Sequence, residues 1–263
     1  MKSMTEKENL TSIDKAFYVL DSLCNGDSKG HSLKNLSREL GFNKSTTHRI
    51  LDTLKSHGFA RQDEESKKYK PGLRIVELGE RVLEGIDIRK EAHQELSRLS
   101  DKVNEVVHLG IIEGKEVVYL DKFNPPKRPF QLYSSIGKSA PIHCTGLGKA
   151  ILAFLSKSRR ERLIEEQELQ RFTPQTITSS SKLSGELEDI RKSGYAVDNK
   201  EHEEEVRCIG VPIKDHGDKA RAAISVTVPS FRVDLEELKE YVPETKETAR
   251  RISKKLRHDT RSL

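Results

Sequence analysis

The chain has 263 residues, 47 Lys+Arg against 42 Asp+Glu for a net charge of +5, and a mean hydropathy of −0.68. That length predicts two domains. The absence of a long uncharged apolar run, and of a signal-peptide core in MKSMTEKENL, argues against a membrane protein and gives a cytoplasmic address as the expectation. Cys24, Cys144 and Cys208 are odd in number and far apart, which speaks against a disulfide framework, and the lack of Trp leaves no aromatic platform for single-stranded bases.

Helical spacing predicts a first helix from Ser12 to Cys24, with Ile13, Phe17, Leu20 and Cys24 on one stripe and Ala16 and Leu23 beside it. Ser32 caps a second helix that turns Leu33, Leu36 and Leu40 inward and stops at Gly41; Asn43 caps a third with Thr47, Ile50, Leu51 and Leu54 inside. Two short helices joined by so tight a turn read as a helix-turn-helix, the later one being the recognition helix. Its outer face gathers Lys44, Ser45, Thr46, His48, Arg49 and Lys55. An acidic turn, Asp63 to Ser66, then separates Phe59-Ala60-Arg61-Gln62 from Lys67-Lys68-Tyr69-Lys70, a hairpin wing whose return strand adds Lys67 and Lys68. Residues 28–61 hold 7 Lys+Arg against 2 Asp+Glu, the local excess expected of a surface that meets a polyanion. The helices alone are equally those of an ordinary three-helix bundle with a solvated basic face; wing and local charge favour double-stranded DNA.

Residues 73–87 read as a linker helix with Leu73, Val76, Leu83 and either Ile75 or Leu78 on its apolar side, followed by a helix at 88–102. Strands are expected at 106–112 and 116–123, joined by Glu113-Gly114-Lys115 as an antiparallel hairpin, and at 131–136, 195–199, 206–213 and 220–228. Helices are expected at 158–168 and 182–193, with a Ser/Thr-rich loop over 171–181, and a final helix from Asp234 to Leu256 that Pro243 kinks or restarts. The expected fold class is α+β, with a DNA-binding domain over 1–72, a linker helix over 73–90 and a sensor domain with an antiparallel sheet over 91–263.

Two constellations in the second domain carry possible chemistry. Thr145-Gly146-Leu147-Gly148 opens a helix, where unpaired amides can hold a carboxylate; a plain capping turn accounts for the same residues. Ser225 and Thr227, two apart on one strand, share a face, and Cys208 sits on a neighbouring strand; with Asp198 they form a set that can hydrogen-bond a small acid, or Cys208 is a small buried hydrophobe and the hydroxyls face solvent. No Cys or His spacing among His143, Cys144, His202 and Cys208 supports zinc, and no nucleotide-binding or protease motif occurs, so neither a metal nor a cofactor is expected. An enzyme acting on a keto acid through Cys208 is the remaining catalytic reading.

The run Gly194-x3-Asp198-x2-Glu201-x6-Cys208-Ile209-Gly210-x2-Ile213 resembles the sensor-domain signature of the IclR family of bacterial transcriptional regulators. The departure is Lys214-Asp215, where the signature has an aromatic or His before Asp or Asn. Lys44 to Arg49 resembles that family's recognition helix, and Pro141 to Ala153 its Pro-His-Cys-Thr-containing segment. The resemblance implies a winged helix-turn-helix, a GAF-like effector domain, and dimers or tetramers that pair through the first and linker helices. It also implies a small carboxylate effector held by the amides of Gly146 and Leu147 and by Asp198, Cys208, Ser225 and Thr227, with Val206, Leu132 and Ala140 on the apolar side. Asp198 to Cys208 is most similar to the branch that responds to 2-keto-3-deoxygluconate. The expected function is therefore a homo-oligomeric repressor of sugar-acid breakdown genes on a near-palindromic operator; an activator of the same build is the alternative.

Overall fold

A computed structural model describes residues 10–27, 29–125, 134–215 and 217–259. The chain divides into two compact units, one ending at Gly85 and the other beginning at Ile86.

The first unit runs α1 (Ser12–Asn25), α2 (Leu33–Leu40), α3 (Lys44–Ser56), β1 (Ala60–Gln62), β2 (Tyr69–Pro71) and α4 (Arg74–Glu84). Thr11 starts α1 with a reciprocal cap: its hydroxyl accepts from the Asp14 N–H at 3.2 Å while the Asp14 carboxylate accepts from the Thr11 N–H at 2.9 Å. Gly41, left-handed at φ 71°, closes α2 by donating to the Ser37 carbonyl. Asn43 stands at the N-cap of α3 but its side chain makes no capping bond; its carbonyl accepts from the Thr47 hydroxyl at 3.1 Å instead. β1 and β2 pair antiparallel, and a bridge between His31 and Tyr69 adds a third short rung to the wing. Val19, Leu23, Leu36, Ile50, Leu51, Ala60 and Tyr69 form the core.

The stripe expected to bury α1 faces outward. Ile13 is 69% and Phe17 62% exposed, and the helix packs through Val19 and Leu23 with Ala16 beside them. α1 carries two apolar stripes, and periodicity alone could not say which one the small core uses. α4 buries no residue within its own unit, and Leu73, Val76 and Val82 are exposed.

The second unit is α5 (Asp87–Val103), β3 (Val106–Glu113), β4 (Glu116–Phe123), β5 (Ser139–Pro141), α6 (Gly146–Ala153), α7 (Lys157–Glu165), α8 (Ser180–Ser193), β6 (Ala196–Asn199), β7 (Val206–Lys214), β8 (Ala220–Pro229), α9 (Leu235–Lys239) and α10 (Val242–Asp259). Six strands form one antiparallel sheet in the order β5-β4-β3-β8-β7-β6. Of the central pairs, β3 and β8 are separated by more than a hundred residues and β7 and β8 by residues 215–219 only, so only the latter is a hairpin. The strand expected at 131–136 falls partly on 131–133, outside the described residues; 134–136 are not a strand, and pairing with β4 begins only at Ser139. As the Pro243 signal implied, the C-terminal helix is two helices, α10 restarting one residue before the proline.

Side-chain alternation gives the sheet two working faces. His108, Gly110 and Ile112 of β3, Cys208 and Gly210 of β7, and Ala223, Ser225 and Thr227 of β8 share the face that α6 covers. α6 and α8 bury Leu147, Ile151, Leu152, Leu183 and Leu187 together with Ile112, Val117 and Ala223. Val107, Leu109, Ile209, Ile224 and Val226 are buried on the opposite phase, and α5 and α10 also contact the sheet. Among the described residues, no helix is long and apolar enough to cross a membrane.

α6 meets the sheet backbone to backbone. A Cβ on Gly210 would lie 2.0 Å from the Gly146 carbonyl oxygen, and one on Gly146 would lie 3.1 Å from the Gly210 nitrogen. Gly210→Ala is expected to lower stability by about 1–3 kcal/mol, the usual cost of overpacking, because backbone rather than a flexible side chain must yield. Urea unfolding of the full chain measures this, and an unchanged midpoint would mean that α6 can back away from β7 at no cost.

Candidate functional site

The outer side of α3 carries most of the positions expected to meet DNA. Lys44, Ser45, His48 and Arg49 are exposed together on it, and Thr46 is half-buried toward α1, where with Arg49 it borders an apolar groove that also touches Ile13 and Phe17. The first-turn amides of α3 have no acceptor within the helix and no Asn43 side chain over them, so they stay free for a phosphate. His48 is held by Asp52 at 3.0 Å. Lys55 turns toward the wing, donating to Gln62 Oε1 at 3.2 Å and lying 5.8 Å from the Tyr69 ring centre, so it ties α3 to the hairpin as well as adding charge. In the wing turn, Ser66 donates twice to the Asp63 carboxylate, which these bonds hold down at about 2, and Lys67 takes a left-handed φ of 56° that presents its side chain at the tip. Lys68 is half-buried beside it.

In the second unit the six positions singled out by the sequence converge on one cavity. Its wall includes Gly146, Leu147, Asp198, Cys208, Ser225 and Thr227, with Val206 at one side. Strand register explains the convergence: Asp198 pairs with Cys208 and Cys208 with Thr227, making one row across β6, β7 and β8, while Ser225 pairs with His108 on β3. Thr145 caps α6, its hydroxyl accepting from the Gly148 N–H at 3.2 Å and donating to the Pro141 carbonyl at 2.7 Å. The capping reading of this turn holds, and Gly146 and Leu147 line the cavity beside the cap. Ala140 is buried in β5 outside that wall, and Leu132 lies outside the described residues.

Sequence reasoning missed His108, Tyr119, Ser134 and Glu203 of the wall, and weighed His202 only as a zinc ligand. His108 was legible only as one polar residue in an apolar strand; its position opposite Ser225 needs the β3–β8 register. Burial, with help from the Lys122 charge, pushes the His108 imidazole down to about 3, so it is neutral. Its Nε2 lies 2.8 Å from the Ser134 hydroxyl, and its Nδ1 lies 3.4 Å from Ser225 Oγ and 3.3 Å from Thr227 Oγ1. Thr227 donates to Cys208 Sγ at 3.3 Å, and burial holds the Cys208 thiol well above its ordinary value.

The turn after β6 is pinned from below by a buried charge. Lys149 of α6 is fully buried and donates to Glu201 at 2.5 Å and Glu186 at 3.1 Å. Burial pulls its ammonium down, but the two carboxylates overcome this and keep it charged. Hydroxyls of Thr173 and Thr176, from the Ser/Thr-rich loop, donate to the Lys200 and Glu201 carbonyls at 2.7 and 2.6 Å. The Glu201 N–H then donates to Asp198 at 2.8 Å. Among the described residues, no group of three or more His, Cys, Asp or Glu is arranged to hold a metal ion.

Asp198 is almost wholly buried, and burial, followed by the Glu201 charge, raises its carboxyl from 3.8 to about 7 despite the opposing bond from Glu201 and charge of Lys149. The folded chain thus keeps a proton that the unfolded chain releases near pH 4, so this group's stabilisation is complete below about pH 4 and lost as pH rises through about 7. Asp198→Asn is expected to flatten that part of the profile. Denaturant unfolding of both proteins between about pH 5 and 8 measures it, and parallel curves would contradict an acid held neutral here.

With this geometry in view, comparison with known proteins is specific. Residues 12–64 match the IclR helix-turn-helix domain and residues 80–254 match the family described as bacterial transcriptional regulator IclR C-terminal. The HTH-type transcriptional regulator XynR of Escherichia coli is 35% identical over 94% of this chain and 97% of its own length. The HTH-type transcriptional regulator KdgR of Escherichia coli is 34% identical over 94% of this chain and 93% of its own. The crystal structure of the Thermotoga maritima IclR superposes with a TM-score of 0.82 at 34% identity, covering 93% of this chain and 98% of that one. The α+β architecture, the helix-turn-helix and the two matched domains agree: this chain belongs to the IclR family of bacterial transcriptional regulators and is a DNA-binding regulator rather than an enzyme.

Proposed function

We propose that this regulator is a homodimeric or homotetrameric repressor whose C-terminal cavity binds a small sugar-derived or 2-keto carboxylate, and that binding loosens its hold on the operator. The observation that carries the reading is the convergence of the Gly146 and Leu147 amides with Asp198, Cys208, Ser225 and Thr227 on one cavity. Free amides at a helix start favour a carboxylate, and the hydroxyls, thiol and buried Asp198 carboxyl beyond them suit the oxygens of its remaining carbons. The resemblance of Asp198 to Cys208 to the 2-keto-3-deoxygluconate branch, and the match to relatives named KdgR, favour a sugar acid.

The cavity is narrow, about 30 Å³ against the roughly 300–1,000 Å³ of formed ligand pockets. A six-carbon acid therefore needs wall groups to move, and movement on binding is what couples a remote site to DNA. On the DNA side, Lys44, Ser45, Thr46, His48, Arg49 and Lys55 form the proposed groove contacts, with Lys67 and Lys68 of the wing on phosphates. Two recognition helices of a dimer then read half-sites one duplex turn apart, about 34 Å.

Binding to a near-palindromic operator, followed by fluorescence anisotropy with and without 2-keto-3-deoxygluconate or D-gluconate, tests this. The acid is expected to weaken operator affinity by roughly 5- to 150-fold. Arg49→Ala is expected to weaken it by about 1–3 kcal/mol without changing the acid's own affinity. Operator affinity that no sugar acid or keto acid alters would remove the effector reading.

The exposed apolar residues of α1 and α4 support self-association through the first unit. Phe17→Glu is expected to shift sedimentation toward the monomer and to reduce operator affinity while leaving the unfolding midpoint of diluted protein near wild type, since Phe17 lies outside the core. Unchanged sedimentation would place the interface elsewhere.

A further inference from the structure

We propose that His108 is a positioning residue of the cavity: held as the Nδ1–H tautomer between Ser134 and β8, it fixes the directions of the surrounding hydroxyls so that the floor offers hydrogens, not lone pairs, to the ligand. This rests on the reading of the cavity as the effector site, and it deepens that reading by stating how an anion is held there.

The argument starts from proton counting. His108 is buried and neutral, so one ring nitrogen donates and the other accepts. Thr227 commits its hydroxyl hydrogen to Cys208 Sγ, so towards His108 it presents only lone pairs. Nδ1 must then be the donor at that contact. Its near-equal distances of 3.4 Å to Ser225 Oγ and 3.3 Å to Thr227 Oγ1 fit one N–H shared between two acceptors. Nε2 is left as the acceptor, and the Ser134 hydroxyl, 2.8 Å away, donates to it. Ser134 is itself fixed from the other side, its carbonyl accepting from Lys122 Nζ at 2.7 Å. The Tyr119 ring, 5.1 Å from the imidazole centre to centre, closes the remaining side.

Two consequences follow for the ligand. Ser225 accepts from His108, so its own O–H is free to turn into the cavity. Cys208 accepts from Thr227, and as a neutral thiol keeps its S–H for the same space. Together with the α6 amides these are neutral donors; none of the described residues of the wall is Lys or Arg, and burial raises the carboxyls of Asp198 and Glu203 toward their protonated forms. The chemistry selected is an anion rich in acceptor oxygens, held without an ion pair. The opposite tautomer would aim the Ser225 hydrogen at His108 and turn its lone pairs toward a carboxylate.

Two-bond proton–nitrogen correlation spectra of the full chain labelled at histidine nitrogens read the tautomer directly, with the His108 signal assigned by its loss in His108→Asn. The expected result is a protonated Nδ1 and a bare Nε2; a protonated Nε2 overturns the proposal. Affinity for 2-keto-3-deoxygluconate and D-gluconate supplies the second readout. His108→Asn puts an amide N–H where Nδ1 stood and is expected to stay within about threefold of wild type, whereas His108→Gln, which mimics Nε2–H, is expected to lose roughly tenfold, the worth of one well-placed hydrogen bond. Equal losses in two variants with equal unfolding midpoints also overturn it. A wild type that binds neither acid counts against the effector reading, and the spectrum alone then decides on His108.

Discussion

The second unit depends on a contact in which no side chain takes part. The start of α6 rests on β7 through Gly146 and Gly210, with backbone so close that a methyl group has no room on Gly210 and only a tight fit on Gly146. This approach does two things at once. It lets α6 seal the sheet face with Leu147, Ile151 and Leu152, and it brings the free amides of its first turn beside Cys208. A helix standing off on ordinary side chains, at the usual 10 Å or so of stacked layers, would leave those amides too far from the strands to line one cavity with them.

The cavity that results is polar, and burial biases the titratable groups of its wall, Glu203 included, against carrying charge. Burial drives His108, Cys208 and Asp198 toward their neutral forms. The charges are kept one layer below, where Lys149 meets Glu201 and Glu186. A buried ion pair of this kind adds little net stability, since desolvation of both partners offsets their attraction. Its effect is geometric: it fixes the turn between β6 and β7, and with it the side of the cavity that carries His202, Glu203 and Val206.

Much of this was legible in the sequence, and what was not has identifiable causes. Alternation and turn residues gave the hairpin of β3 and β4, the strands β6 to β8 and the helix-turn-helix. Two-residue spacing on β8 put Ser225 and Thr227 on one face, and the capping pattern at Thr145 located the start of α6. His108 and Tyr119 escaped because their relation to β8 is a matter of register between strands more than a hundred residues apart, which no local pattern encodes. Ile13 and Phe17 were read as core because a helix with two apolar stripes gives the same periodicity whichever stripe is buried. Asn43 was read as a cap from residue type, whereas in α3 the Thr47 hydroxyl answers the Asn43 carbonyl and the asparagine side chain is left out.

The fixed turn also sorts its residues by how freely they can drift over evolution. Replacing Lys149 alone strands Glu201 as a buried carboxylate, a loss of about 3–5 kcal/mol that few small domains survive, whereas replacing Glu201 still leaves Lys149 its bond to Glu186, so Lys149 is the more constrained of the two. Glu203 and Val206 face the same cavity but anchor no buried ion. A lineage can therefore reshape the cavity lining one substitution at a time at positions 203 and 206, while the ion pair beneath keeps the frame in which each new side chain is tried.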